Sequence, residues 1–363
     1  MFGGTLSLYF ARHFAKMVTA IFVLSALLIT VITYLEYFSR ALRGDAVAGL
    51  QLALISILRV PSVAEAALPF AVLYGSIAAF VIANRRLELV VSRAAGVSAW
   101  QFLLPACVIG LLFGVIATTV YNPVSARMLA RSGTMTADVF LNARKPADPT
   151  NGPVWVRQVS GDGESIIGSS QSFDEGLGLI GVTAYVFGPD GRFRERIDSP
   201  TAHYFPGEWR LNEATVTSTD ADPRQTAVYT LPTDLSPNEV KRTFLNIDSV
   251  PFWSLRGLAA SARRAGVPAD RYVLQFNKLL SRPILLLAMV LIAAGVSLRF
   301  SRSRELGRMI VTGVFAGFML YVVMRIAWDL GSGGIVPPPL AAWLPAIVAT
   351  LVGITVLLHL EDG

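Results

Sequence analysis

The sequence has very little of three residue types on which many enzymes depend: cysteine, histidine and lysine. A single cysteine, Cys107, excludes an internal disulfide framework and a metal site built from several thiolates. The three histidines, His13, His203 and His359, lie far apart and give no support for a zinc site or a histidine-dependent triad. None of the few lysines follows a glycine, so the chain has no phosphate-binding loop for ATP. We expect no cofactor in this chain.

Charged residues are also scarce, and they are unevenly placed. They make up 15% of the 363 residues, against 53% hydrophobic residues, which is too apolar for an ordinary soluble protein. Residues 127–270 hold 15 basic and 17 acidic side chains, so the middle of the chain is polar and nearly neutral. The net charge of +6 therefore comes from residues beside the apolar runs. This placement indicates membrane orientation and argues against a nucleic-acid partner.

Six apolar runs approach the roughly 20 residues that a helix needs to cross a bilayer. Charges or loops bound them, and we predict spans within residues 16–36, 65–85, 94–126, 282–299, 308–325 and 340–358. The first run is longer than the core of a signal peptide and lacks a cleavage site, which favours a retained span. The glycine- and proline-rich residues 331–339 predict a loop before the sixth span.

The basic residues near the span ends predict the orientation, because lysine and arginine are retained on the cytoplasmic side. One side has nine of them: Arg12, Lys16, Arg85, Arg86, Arg93, Arg299, Arg302, Arg304 and Arg308. The other side has four: Arg40, Arg43, Arg59 and Arg325. Both termini are then cytoplasmic, and the middle domain lies in the periplasm of a Gram-negative cell.

The middle of the chain has the alternating pattern of β-strands. Strands are predicted at residues 154–159, 179–187, 203–205, 209–217 and 226–231, separated by glycine and proline. Their spacing suits a sandwich or an open jelly roll, with a linker at 142–153 and a helix at 255–265. The predicted fold is six transmembrane helices, three plus three, around an all-β jelly-roll-like periplasmic domain. The domain borders would be 1–126, 127–270 and 271–363.

Two short motifs have simple structural explanations. Gly176, Gly178 and Gly181 match the spacing of a dinucleotide-binding loop, but a strand and not a helix follows them, so we expect a turn. Arg325 and Asp329 are four residues apart and predict an ion pair on one helix face.

Two charged regions each allow two interpretations. The amphipathic stretch at residues 84–93, before Gly96, is either a membrane-surface elbow or a short helix that docks in a groove of a cytoplasmic partner. The arginines at the outer ends of spans one and three either snorkel to the interface or form a basic collar that binds lipid phosphates; they are Arg40, Arg43, Arg127 and Arg131.

Several short segments, taken in order, resemble one known family. They are Val60-Pro61 and Pro69 around span two, Leu87-Glu88-Leu89-Val90-Val91 before Ala95-Gly96, Val311-Thr312-Gly313, and Val336-Pro337-Pro338. Together with the arrangement of three spans, a β domain and three spans, they are similar to the LptF/LptG lipopolysaccharide export permeases over essentially the whole chain. Leu89-Val90-Val91 and Trp209-Arg210-Leu211 look more like the LptG branch.

The resemblance implies a subunit of an ABC transporter that extracts lipopolysaccharide from the inner membrane. The implied partners are a cytoplasmic LptB-like ATPase dimer that binds the ATP, a paralogous LptF-like permease, a single-span LptC-like protein and an LptA-like periplasmic bridge. Coupling to the ATPase would fall on Arg85, Arg86, Leu87, Glu88, Leu89 and Arg93, with Glu88 as the acidic contact. Spans one and five would line a lipid cavity, with apolar contacts from Ile29, Ile32, Phe70, Phe318 and Tyr321.

Two other classes of membrane protein are alternatives. A mechanical membrane subunit of the FtsX or MacB kind has four spans with its large domain after the first, whereas here the domain follows the third. A lipid-modifying enzyme should show acidic residues or histidines gathered at one membrane face, and the sequence shows no such cluster.

Overall fold

The computed structural model describes most of the chain. The described residues are 4–41, 49–88, 91, 98–142, 154–160, 163–218, 222–237, 240, 244, 246–264, 269–299 and 306–362. Before the sheet come α1 (Gly4–Ala41), α2 (Gly49–Arg85), α3 (Ala99–Ile116), a π turn (Ala117–Tyr121) and α4 (Asn122–Asn142). After the sheet come α5 (Phe252–Arg264), α6 (Asp270–Arg299), α7 (Leu306–Ser332) and α8 (Pro338–Asp362).

Six helices among the described residues are long and apolar enough to cross a membrane, which confirms the six predicted spans. They are Ser7–Ser39, Gly49–Arg85, Trp100–Thr136, Asp270–Leu298, Val311–Ser332 and Pro338–Leu360. We number these spans one to six. Two charges that the sequence placed at span ends, Glu65 and Arg282, instead lie inside continuous helices. The predicted loop at 331–339 is also shorter than expected, because α8 begins at Pro338, and proline is well tolerated in the first turn of a helix.

The described strands form one six-stranded antiparallel sheet, which confirms the predicted β region. The strands are β1 (Val154–Ser160), β2 (Gly163–Phe173), β3 (Gly178–Phe187), β4 (Phe193–Phe205), β5 (Glu208–Ser218) and β6 (Arg224–Pro232). Each strand pairs with the next one along the chain, so the sheet order is β1-β2-β3-β4-β5-β6. Strand β3 begins directly at Gly178, so the predicted turn at Gly176 and the absence of a following helix are confirmed.

The chain divides into two compact units. The helical unit contains Met1–Ile29, Pro61–Ser125 and Val250–Gly363, and the sheet unit contains Thr30–Val60 and Ala126–Ser249. In the sheet unit, Trp209 is fully buried and packs edge-on against Tyr204 and Phe244, with ring centroids 5.4 and 5.5 Å away. This arrangement places the core on one face of the sheet.

Small residues let the spans of the helical unit approach closely. A Cβ atom added to Gly114 on α3 would lie 2.3 Å from the Cα of Pro283 on α6. In the π turn that follows α3, the Thr118 hydroxyl donates a hydrogen bond to the Leu279 carbonyl at 2.7 Å. Helix association in lipid depends on such close backbone contact, since there is no hydrophobic driving force between spans.

Candidate functional site

The predicted cytoplasmic elbow begins with a sharp turn directly after α2. Leu87 has a φ of 59°, in the left-handed region that leucine rarely adopts. Its N–H donates to the Asn84 carbonyl at 3.0 Å, and its carbonyl accepts from the Val91 N–H at 2.9 Å. The sharp turn thus lies outside the preceding helix, since Arg85 is the last residue of α2. Leu87 and Val91 are 59% and 64% exposed, while Leu89 and Arg93 lie outside the described residues.

The Glu88 carboxylate is held in a defined direction. Its Oε1 accepts a hydrogen bond from the Tyr9 hydroxyl at 2.9 Å, and the Arg86 guanidinium lies 3.9 Å from the same oxygen. Tyr9 is on α1, where its ring packs edge-on against Phe10 and stacks on His13. The elbow is thus connected to span one through a contact between residues 79 positions apart.

The four collar arginines are described only in part. Arg127 and Arg131 are exposed on α4 and are one helical turn apart, so they share a face. The side chain of Arg40, and Arg43 altogether, lie outside the described residues. Whether these four side chains meet at one place stays a prediction.

Within the sheet unit, the end of α1, the start of α2 and α4 pack together. Tyr37, Leu52 and Ile55 form a buried cluster with Met135, and the Ser132 hydroxyl donates to the Ile55 carbonyl at 3.3 Å. A further arginine takes part here, because Arg59 donates to the Tyr37 hydroxyl at 2.8 Å. This contact of Arg59 is not predictable from local spacing, because its partner is 22 residues away.

Two of the predicted cavity residues contact each other. The rings of Phe70 on span two and Tyr321 on span five lie 5.8 Å apart, and Gly317 lies beside Phe70 and Leu73. The other predicted residues on spans one and five are half-buried (Ile29) or exposed (Ile32 and Phe318).

Spans one and five are the least buried of the six. In their most apolar segments, 11% and 22% of the residues are buried, against 61% in spans two and four. Their exposed apolar faces are available to lipid or to another membrane helix.

A buried polar cluster, which the sequence pattern does not predict, connects spans two, three and four. Glu65 is 8% exposed, pairs with the Arg282 guanidinium, and accepts a hydrogen bond from the Asn122 amide at 2.9 Å. Asn122 in turn accepts from the Phe252 N–H at 2.9 Å. The signal in the sequence was an acid and a base that each interrupt an apolar run. Ionisable residues inside spans are costly and frequently functional.

Among the described residues, no three His, Cys, Asp or Glu side chains gather in a way that could hold a metal ion. The ion pair predicted between Arg325 and Asp329 is confirmed, with Nε and Oδ2 3.1 Å apart.

The fold and these sites define a multi-pass membrane subunit with a central β domain, as found in transport permeases. The family model for the lipopolysaccharide export system permease LptF/LptG matches residues 8–359, so the chain belongs to this family. It is a permease subunit of a lipopolysaccharide export system and a multi-pass inner-membrane protein. The mechanical-subunit and lipid-modifying alternatives receive no support.

Three relatives are similar to the chain over most of its length. The LptG permease proteins of Escherichia coli K12 and of E. coli O6:H1 are each 25% identical to it, and the alignment covers 98% of both chains. The LptG permease protein of Haemophilus influenzae is 24% identical, and the alignment covers 80% of this chain and 81% of that protein. All three bear the LptG name, in agreement with the predicted branch.

Proposed function

We propose that this permease subunit extracts lipopolysaccharide from the inner membrane and passes it, by way of the central β domain, to a periplasmic bridge protein. The observation that carries the proposal is the family match over residues 8–359, together with the exposed apolar faces of spans one and five. A lipid with several acyl chains needs such apolar surface between helices. Its phosphorylated head group needs cations at the edge of that apolar surface, and arginine forms bidentate hydrogen bonds with phosphate.

The collar arginines would supply those cations. Arg127 and Arg131 are exposed on one face of α4, and Arg40 and Arg43 follow the end of span one in the sequence. The apolar contacts would come from Ile29 and Ile32 on span one, Phe70 on span two, and Phe318 and Tyr321 on span five.

The energy for transport would come from a partner chain. The proposed assembly contains an LptB-like ATPase dimer, an LptF-like permease, an LptC-like single-span protein and an LptA-like bridge. Leu87 and Val91 offer exposed apolar side chains beside the Glu88 carboxylate, which is the chemistry of a short helix that docks in a groove. Both termini would then be cytoplasmic and the sheet periplasmic.

Depletion of the protein tests the proposed function. We expect lipopolysaccharide to accumulate in the inner membrane, because the path out of that membrane is lost. Separation of the two membranes and immunodetection of lipopolysaccharide in each measures this. Unchanged delivery to the outer membrane after depletion would contradict the proposal.

Glu88→Ala tests the coupling role. We expect about tenfold weaker association with the ATPase in co-purification, since a charged hydrogen bond at an interface is lost. Glu208→Ala, the same change on the sheet, should leave association intact. Tyr9→Phe removes only the hydroxyl that contacts Glu88, so it should weaken association less than Glu88→Ala does. Full retention of the ATPase by Glu88→Ala would remove the assignment.

A further inference from the structure

Glu65, Asn122 and Arg282 form a buried cluster, here named the clasp. The clasp links three helices, and a contribution to folding stability is not a sufficient reason for it. Its three side chains come from α2, α4 and α6, all within the helical unit. The Glu65 side chain is 9% exposed and that of Arg282 16%. Burying two ions costs several kcal/mol each before their attraction repays it, and apolar replacements are often as stable. The presence of this buried ion pair is therefore better explained by a role in connecting the three helices than by a gain in stability.

Asn122 connects the clasp to α5, the return helix that leads from the sheet to span four. Its Oδ1 accepts from the N–H of Phe252, the first residue of that helix. The first four N–H groups of a helix have no partner within it, so Asn122 acts as a cap supplied by a different helix. Its amide nitrogen donates at the same time to Glu65. One side chain therefore ties the return helix to span two.

Two further contacts hold the start of the return helix. The Trp253 indole donates to the Thr119 carbonyl in the π turn at 3.2 Å. The Phe252 ring stacks on Phe276 of span four at 5.2 Å, with the ring planes nearly parallel. The π turn itself is tied to span two, because the Tyr121 hydroxyl donates to the Pro61 carbonyl at 3.0 Å.

The clasp lies where all three helices are locally weak. Pro61 and Pro69 lie four residues before and after Glu65, and Pro283 follows Arg282 directly. The π turn ends at Tyr121, directly before Asn122. Proline removes a backbone hydrogen bond, and π turns widen a helix locally, so each helix can bend near its clasp residue.

We propose that Glu65 and Asn122 are positioning residues for transport, which pass movement of span two to the return helix and from there along the chain to the sheet. Span two carries the elbow at its cytoplasmic end, and the return helix begins three residues after the sheet unit ends at Ser249. The inference rests on the proposed function, since it supplies the route between ATP hydrolysis and the β domain.

Asn122→Leu in the assembled transporter tests the proposal. The change keeps the size of the side chain but removes both hydrogen bonds. We expect ATP hydrolysis within about twofold of wild type and a fall of about tenfold in lipopolysaccharide released per ATP hydrolysed. The readouts are phosphate production and transfer of lipopolysaccharide from proteoliposomes to the bridge protein.

Asn277→Leu is the matched control. Asn277 lies on span four of the same unit, and its side chain accepts from the Trp343 indole at 3.2 Å and donates to the Val273 carbonyl at 2.8 Å, so its hydrogen bonds join spans four and six and not the return helix. The Asn277→Leu variant should release no less than about half as much lipopolysaccharide per ATP hydrolysed as wild type. An equal loss in both variants, or an unchanged ratio in Asn122→Leu, would overturn the proposal. A wild-type assembly that hydrolyses ATP without any release would instead overturn the proposed function.

A second variant covers the case in which Asn122→Leu does not assemble. Asn122→Asp keeps an oxygen that can cap the return helix but replaces the donor to Glu65 with a second carboxylate. Release per ATP should again fall about tenfold. A ratio equal to that of wild type would show that the link from Asn122 to Glu65 carries no movement.

Discussion

At the scale of single residues, burial and a neighbouring carboxylate both change the pKa of the Tyr229 hydroxyl on β6. Burial raises the pKa of Tyr229 above the ordinary value, and the hydrogen bond that its hydroxyl donates to Glu195 raises this pKa further. The neutral form is favoured in the folded protein. The resulting stability is fully present below about pH 10, the pKa of an unperturbed tyrosine, and is lost as the pH rises through the folded-state pKa.

We therefore expect wild type to lose more stability than Tyr229→Phe between pH 9 and pH 11, because phenylalanine cannot ionise in the unfolded state. Thermal unfolding of both proteins in detergent at the two pH values measures the difference. Equal losses in the two proteins would show that Tyr229 does not contribute to the alkaline limit.

Sequence separation decides which of the functional residues and contacts are predictable. Features set by neighbouring residues can be predicted, whereas contacts between distant positions cannot. Glu88 is predictable as a carboxylate in a cytoplasmic segment, because orientation depends only on local charges. Its contact with Tyr9 and the pairing of Glu65 with Arg282 are not predictable from spacing, since the partners are 79 and 217 residues apart. A charge inside an apolar run predicts the end of a span, whereas burial beside an opposite charge lets the helix continue through Glu65 and Arg282.

At the scale of elements, the close contact between α3 and α6 leads to a packing prediction. Gly114→Ala places a methyl group 2.3 Å from the Pro283 Cα, where the backbone must move. We expect a loss of about 1–3 kcal/mol, the usual cost of overpacking. Thermal unfolding in detergent measures it.

Gly257→Ala serves as the control for that substitution. Gly257 is on the exposed side of the return helix and has nothing within 4 Å of an added Cβ. The same change there should be neutral or add up to about 1 kcal/mol, since alanine favours the helix. Comparable losses at both positions would mean that contact with Pro283 is not the cause.

The strands differ in how clearly their sequences predict them. β5 alternates in burial, with Trp209 and Leu211 buried before Glu213 and Ala214 and Val216 buried after it, where the period shifts by one residue. β3 shows the alternation only over residues 180–185, because its first three residues are all buried. β2 was not predicted, because its sequence, Gly163–Phe173, is dominated by glycine, serine and glutamine and has only Ile166, Ile167 and Phe173 as apolar residues. In β4 the sequence predicts only residues 203–205, because charged and small polar side chains dominate residues 193–202. Pairing with the neighbouring strands compensates for their weak intrinsic preference.

At the scale of the whole molecule, cysteine labelling tests the predicted orientation. We expect a cysteine placed in the turn between β3 and β4 by Asp190→Cys, in a Cys107→Ala background, to react with a membrane-impermeant maleimide added from the periplasmic side. Arg308→Cys, at the start of α7, should be protected until the inner membrane is opened. The reverse pattern would place the sheet in the cytoplasm and contradict the proposed export role.

The simple order of the sheet has a consequence for biosynthesis. Every strand pairs with the one made just before it, so the sheet can assemble while the ribosome is still producing the rest of the chain. The clasp forms later, because Arg282 is synthesised 217 residues after Glu65, which takes roughly 10 to 40 s of translation. A nascent chain that stalls before span four therefore carries a finished sheet and a membrane carboxylate without this arginine, a state that quality-control proteases could distinguish from the complete subunit.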